Sequence, residues 1–246
     1  MLKIPDPFRN NPLQREPSPT GTLRNKVLTN IQPQAEEFFA AHGELRPMHY
    51  GDVIFEHNAP VTHMVFPHEG VVSIVEEMET GKTVEKASIG VEGFLGFAVL
   101  MGGGNAIGRS VVQVPGSATW VAVADVDTAL ERFSCVREIM LRYAKSLIVQ
   151  LMETVACNSL HSADQRVSRW LLHAHDRMTG DTFELKQDSL AQVLGLRRAT
   201  VSMVCSELLD AGAISYQRGK LTITDRAALH GRSCDCYDRI RRAALT

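Results

Sequence analysis

The sequence predicts an α+β fold: an N-terminal antiparallel β-roll, then one long helix, then a C-terminal helical domain closed by a hairpin. Three observations lead there. Between Glu44 and Ala124 short β-branched runs alternate with turn residues and show no helical period. From Val136 to Val155 apolar residues recur at steps of three and four. After Asp188 two short helical patterns meet at a glycine, and two brief strands follow.

The bulk properties set limits. A chain of 246 residues, 44% hydrophobic and 22% charged, has the composition of an ordinary globular protein. No apolar run approaches the roughly 18–20 residues of a membrane span. Met1 to Leu23 lacks the compact apolar stretch of a secretory signal, so a cytoplasmic protein is expected. Cys135, Cys157, Cys205, Cys234 and Cys236 are odd in number and form no CxxC pair, which predicts neither a disulfide framework nor a metal site. The net charge is −2, unevenly spread. Residues 1–162 carry 13 Lys and Arg against 18 Asp and Glu, and residues 163–246 carry 13 against 10. A local basic surface is what phosphate contacts need, so the C-terminal part is compatible with nucleic acid.

Four segments follow from reading along the chain. Residues 1–24, with five prolines up to Pro19, form an arm outside any core. Residues 25–133 form the roll. It opens with a helix over Gln34–His42, with Pro33 in its first turn and Gly43 as its stop. Its strands run over Asp52–Phe55, His63–Phe66, Val71–Val75, Thr83–Ile89, Ser110–Val114 and Ala118–Val123. Glu69-Gly70, Thr80-Gly81 and Pro115-Gly116 are read as turns, and a helix capped by Asp125 ends the segment at Phe133. Residues 134–162 form the long helix, striped by Val136, Met140, Tyr143, Leu147, Leu151 and Val155. That stripe fits either a core helix laid across the roll or a seam between two copies of the chain.

Residues 163–246 hold the most informative segment, Asp188 to Ser206. Leu190, Val193 and Leu194 give a first helix its apolar face, Ala191 permits close approach, and Gly195 suits a sharp turn. Leu196, Val201 and Val204 face the second helix inward, which leaves Arg197, Arg198, Thr200, Ser202, Met203 and Ser206 for DNA. A packing hairpin of helices would explain this much. Strands at Ile214–Tyr216 and Leu221–Thr224 then flank the basic tip Gln217-Arg218-Gly219-Lys220, a wing whose Arg218 and Lys220 suit phosphates. Helix, turn, helix and basic wing together point to double-stranded DNA.

With these residues in place the chain resembles the Crp/Fnr superfamily of transcription regulators. The resemblance rests on Glu69-Gly70-Val71-Val72, on Gln165-Arg166-Val167-Ser168-Arg169-Trp170-Leu171-Leu172 and on Gly195-Leu196-Arg197-Arg198-Ala199-Thr200-Val201. It implies a cyclic-nucleotide-binding-like jelly roll, a dimerisation helix and a winged helix-turn-helix. It also implies a homodimer on an inverted-repeat operator, with RNA polymerase as a partner of any activator. Arg198 matches a base-reading Arg of the family, whereas Ala199 and Met203 replace a frequent Glu and Arg, so a different operator is implied.

The resemblance also places a phosphate cassette at Phe94 to Ser110, with Gly96, Arg109 and Ser110 as ligand candidates. Phe97 stands where the ribose-binding Glu belongs, and Leu151 and Met152 stand where a polar pair meets the adenine, which argues against cyclic AMP. No cysteine precedes Cys135 to hold the family's iron–sulfur cluster, and His42, His49, His57, His63 and His68 are too scattered to indicate haem. No cofactor is therefore expected, and Cys234 and Cys236 read as exposed thiols. A small-molecule module with a protein-binding C-terminal domain is the alternative, which the basic wing disfavours. No phosphate loop, nucleophile elbow or HExxH indicates an enzyme.

Overall fold

A computed structural model describes residues 24–79 and 83–245; the predicted arm up to Leu23 and the predicted Thr80-Gly81 turn lie outside them. The first helix, α1 (Pro33–His42), begins on Pro33 and ends at Gly43. Strands β1 (Gly43–Met48), β2 (Val53–Phe55), β3 (His63–Glu77), β4 (Thr83–Ile89) and β5 (Arg109–Ala122) form one sheet in the order β1-β5-β3-β4, with β2 also on β5. β1, absent from the sequence reading, pairs antiparallel with β5 from Gly43↔Val121 to Met48↔Gly116.

Two predicted turns prove to be bulges inside long strands. The runs on either side of Glu69-Gly70 belong to β3, and those flanking Pro115-Gly116 belong to β5. The two strands pair throughout, with register shifts at Pro67/Glu69 and Glu69/Val71. A Cβ on Gly116 would stand 2.0 Å from the Glu69 carbonyl oxygen, so only glycine lets the backbones come this close. Glycine and proline mark a bend here, not an end.

Helix α2 (Val123–Arg132) begins two residues before Asp125, which therefore lies in its first turn and makes no cap hydrogen bond. Helix α3 (Ser134–Leu160) has 27 residues and divides the predicted stripe. Val136, Met140, Tyr143 and Leu147 are buried in the roll's core with Phe66, Phe94 and Ile89. Leu151 and Val155 are exposed, as are Leu141, Ile148 and Met152. The core reading thus holds for the first half of the stripe, and a second apolar row (Leu141, Ile148, Met152, Val155) faces outward. The reason is geometric: the stripe ends on successive four-residue steps, and each carries it about 40° beyond a full turn of 3.6 residues, so its last members rotate out of the core.

Ser162 then starts α4 (Ala163–Asp176) through a capping box, accepting from the Gln165 N–H while the Gln165 side chain accepts from the Ser162 N–H. The rest comprises β6 (Thr182–Glu184), α5 (Gln187–Leu194), α6 (Arg198–Asp210), β7 (Ile214–Gln217), β8 (Lys220–Ile223), α7 (Arg226–Arg232) and α8 (Cys236–Leu245). Its core centres on Trp170, Leu171, Val201, Leu208 and Tyr237, and it also takes in Val71 and Val114 of the roll.

Polar contacts complete the junction. Arg177, just past α4, is almost fully buried and donates to both carboxylate oxygens of Glu92, at 2.6 and 3.1 Å. It also donates to the hydroxyl and carbonyl oxygens of Ser88, each at 2.9 Å. Trp170 donates to Glu85, and Ser189 donates to Gln113. Removing one member of a buried ion pair strands the other. Arg177→Met should destabilise the chain by about 3–5 kcal/mol in urea titration, and the double variant with Glu92→Leu should recover most of the loss.

His173 supplies a pH expectation. It is buried beside Tyr237, its Nε2 has no partner, and burial, then Arg177, Arg169 and Arg226, hold its pKa well below 6.5. The unfolded chain binds this proton and the folded chain does not, so stability is complete above about pH 6.5 and falls as the pH drops below it. Replacing His173 with Phe should flatten that acid limb in melting curves recorded between about pH 8 and 5.

Candidate nucleic-acid interface

α5 and α6 are short, amphipathic and joined by Gly195 in the left-handed conformation, φ 62°. The Leu196 N–H bonds back to the Ala191 carbonyl at 2.9 Å, closing the turn around a small, buried residue. Val201, Val204, Cys205 and Leu208 anchor α6. Arg197, Arg198, Ala199, Ser202, Met203 and Ser206 are exposed, and Thr200 is half-buried. Arg197 serves as the N-cap residue without a side-chain bond, so the first N–H groups of α6 remain open to an acceptor.

Two of these side chains already have partners. Arg198 pairs with Asp188 of α5 at 2.9 Å, and the Ser206 hydroxyl donates to the Ser202 carbonyl at 3.0 Å. The Arg198 pair is exposed, which makes it weak and readily exchanged.

The wing forms as a hairpin in which Gln217↔Lys220 is the last pair before the tip. Arg218 (φ 51°) and Gly219 (φ 81°) make the two-residue turn, the arrangement whose twist suits flanking strands. Arg218 and Lys220 are exposed. β6, which the sequence reading did not include, adds a third strand against β8 from Thr182↔Thr222 to Glu184↔Lys220.

The ligand candidates come together less well. Gly96 and Ser110 line a small, mostly apolar cavity with Phe55, Ile74, Leu95 and Phe97. It encloses about 20 Å³, room for one water and far too little for a nucleotide. Phe97 is buried there, while Arg109 lies outside the lining and pairs with Glu56 at 3.1 Å. Among the histidines, His68 is tied into the roll: its Nδ1 accepts from the Arg24 and Asn25 N–H groups, and its Nε2 meets Thr119 at 2.6 Å.

The cysteine reading requires correction. Cys234 and Cys236 are buried, not exposed, because α8 packs them against the end of α3. There Cys157, His161, Cys234 and Cys236 bring four ligand atoms within 4.8 Å of one another, where the sequence reading placed no metal site. The helical spacing of Cys157 and His161, four residues apart, was the available signal.

Residues 165–232 match the Crp-like helix-turn-helix domain. No curated protein matches the chain by sequence. Among solved structures, FixK2 from Bradyrhizobium japonicum is similar with a TM-score of 0.66 and 16% identity, over 78% of this chain and 98% of that one. A putative Crp/Fnr-family transcriptional regulator from Eubacterium rectale gives 0.58 and 13%, over 84% and 96%. The c-di-GMP-responsive regulator CLP of Xanthomonas campestris gives 0.57 and 14%, over 78% and 99%. No helix among the described residues is long and apolar enough to cross a membrane.

Removing the Arg198 anchor tests the local geometry. Asp188→Asn should leave melting temperature nearly unchanged, since exposed pairs contribute about 0–1 kcal/mol, and should release Arg198 to other partners in side-chain NMR. Residues 165–232 are thus a Crp-like helix-turn-helix domain, and the roll and long helix before it share the fold of these solved structures.

Proposed function

We propose that the chain is a Crp/Fnr-type transcription regulator that binds an inverted-repeat operator as a homodimer, reading bases from the N-terminal end of α6. One observation carries the reading: Arg197, Arg198, Ser202 and Ser206 lie exposed on one helix, and a basic wing stands beside it. Residues opening the second helix of this motif reach base edges in the major groove. Arg198 is the base reader, bidentate to guanine, and the exchange of Asp188 for DNA accompanies binding. Arg218 and Lys220 on the wing hold phosphates, as do the uncapped N–H groups of α6.

The dimer seam is the outward row Leu141, Ile148, Met152 and Val155, each more than half exposed in the single chain. Burying such side chains in a partner contributes roughly 1.5–3 kcal/mol each. The small cavity lined by Phe97, and the exposed Leu151 and Met152, support a roll that takes no cyclic AMP. The protein acts in the cytoplasm, and RNA polymerase is its partner where it activates.

Two experiments test these assignments. Arg198→Ala should cost about 1–3 kcal/mol on the operator and relax preference at one base pair per half-site, whereas Lys220→Ala should weaken operator and random duplex alike. Equal losses on both duplexes for Arg198→Ala would contradict its base-reading role. In sedimentation, Ile148→Asp with Val155→Asp should give folded monomers that lose operator binding.

A further inference from the structure

At the corner where α3 hands over to α4, four side chains from two distant stretches of chain converge. Cys157 comes from the last turn of α3 and His161 is its C-cap residue, while Cys234 and Cys236 come from the entry to α8. The Cys157 and Cys234 sulfurs are 3.5 Å apart, and the Cys236 sulfur is 3.6 Å from His161 Nδ1. A tetrahedral ion with metal–sulfur bonds of about 2.3 Å and metal–nitrogen bonds of about 2.0–2.1 Å has ligand edges near 3.8 Å between sulfurs and 3.5 Å from sulfur to nitrogen. The two distances are close to such edges, and all four atoms lie within 4.8 Å of one another.

We infer that Cys157, His161, Cys234 and Cys236 form a Cys₃His site for a single Zn²⁺ ion, which fastens the end of α3 to α8. All four donor atoms fit within 4.8 Å, which suits one ion and leaves no room for the wider span of an iron–sulfur cluster.

The surroundings suit that ion. His161 binds through Nδ1, and its Nε2 lies 3.9 Å from Asp235, a carboxylate placed to orient the ring. Three thiolates and Zn²⁺ carry one net negative charge. Arg169 is buried alongside, makes no ion pair among the described residues, and leaves its Nε without a partner. Its charge balances the site. The hydrogen bond with Cys234 holds the Cys157 thiol below its ordinary pKa, which favours its deprotonation. Binding releases the remaining thiol protons to solvent.

The position gives the ion a regulatory consequence, which rests on the DNA-binding reading. α3 carries the seam, α8 joins the core of the C-terminal domain through Tyr237, and the chain turns from α3 into α4 at His161-Ser162. A metal bridging α3 and α8 fixes the angle at this corner and so the placement of α6 relative to its copy in the dimer. Loss of the ion frees it.

The test uses the full chain, anaerobic and reduced, with Zn²⁺ measured by competition against a chromophoric chelator and Co²⁺ as the spectroscopic probe. The wild type and Cys135→Ser should each take one ion, with the charge-transfer and ligand-field bands of tetrahedral thiolate Co²⁺. Cys236→Ser should lose that spectrum. Asp235→Asn, at an exposed position where folding is not in question, should keep the spectrum and weaken Zn²⁺ by roughly 10–100-fold. On operator DNA, zinc-loaded and chelator-treated wild type should differ roughly 5–150-fold in affinity, and Cys236→Ser should not respond. No stoichiometric ion, unchanged Zn²⁺ affinity in both Cys236→Ser and Asp235→Asn, an iron–sulfur chromophore, or a Cys157–Cys234 disulfide that persists under reductant would each overturn the site. Zinc uptake without any DNA binding would instead remove the DNA reading and leave the site standing. Zinc uptake with DNA affinity unmoved would overturn the regulatory part.

Discussion

Arg177 lies where the helix-turn-helix domain meets the roll, and the relation between the two rests on its guanidinium. The group is withdrawn from water and satisfied by Glu92 and Ser88, which sit on and just after β4. A charge buried this deeply is tolerable only while its partners are in place. The contact therefore acts as a latch: either the two domains sit in this one orientation or a carboxylate and a guanidinium are left unpaired. Because α5 packs on β4, and α6 turns off α5 through Gly195, the direction of α6 follows from that latch.

The long helix serves two surfaces at once. Its early apolar residues, Val136 to Leu147, complete the core of the roll, and its outward row leaves a face for a second chain. Its last turns meet α8. Any change in the roll's packing is thus mechanically close to the seam and to the corner at His161. A roll whose cassette cavity, lined by Phe97, holds only about 20 Å³ has little room for a nucleotide, so a signal reaching that corner directly would need no ligand in the roll.

Much of this was legible in the sequence because local physics and tertiary structure agree. Gly195 marks a turn that needs a left-handed residue, Arg218-Gly219 marks a hairpin tip, and the β-branched Thr83, Val84 and Ile89 mark a strand. The failures have specific causes. Gly70 and Gly116 look like turns, yet their lack of a Cβ serves a close backbone crossing between β3 and β5, a long-range fact. β1 contains Pro47 and charged residues, which disguise an edge strand. The stripe on α3 is one pattern in sequence and two surfaces in space. Cys157 and Cys234 are 77 residues apart, and only the docking of α8 brings them together.

The central claim, a regulator whose dimer reads DNA through α6, is tested most directly by selection. Full-length protein is used to enrich duplexes from a random pool, and the bound fraction is sequenced. The account predicts an inverted repeat with half-site centres about one helical turn, roughly 34–36 Å, apart. Recovery of no preferred sequence, or of a lone half-site bound by a monomer, would contradict it.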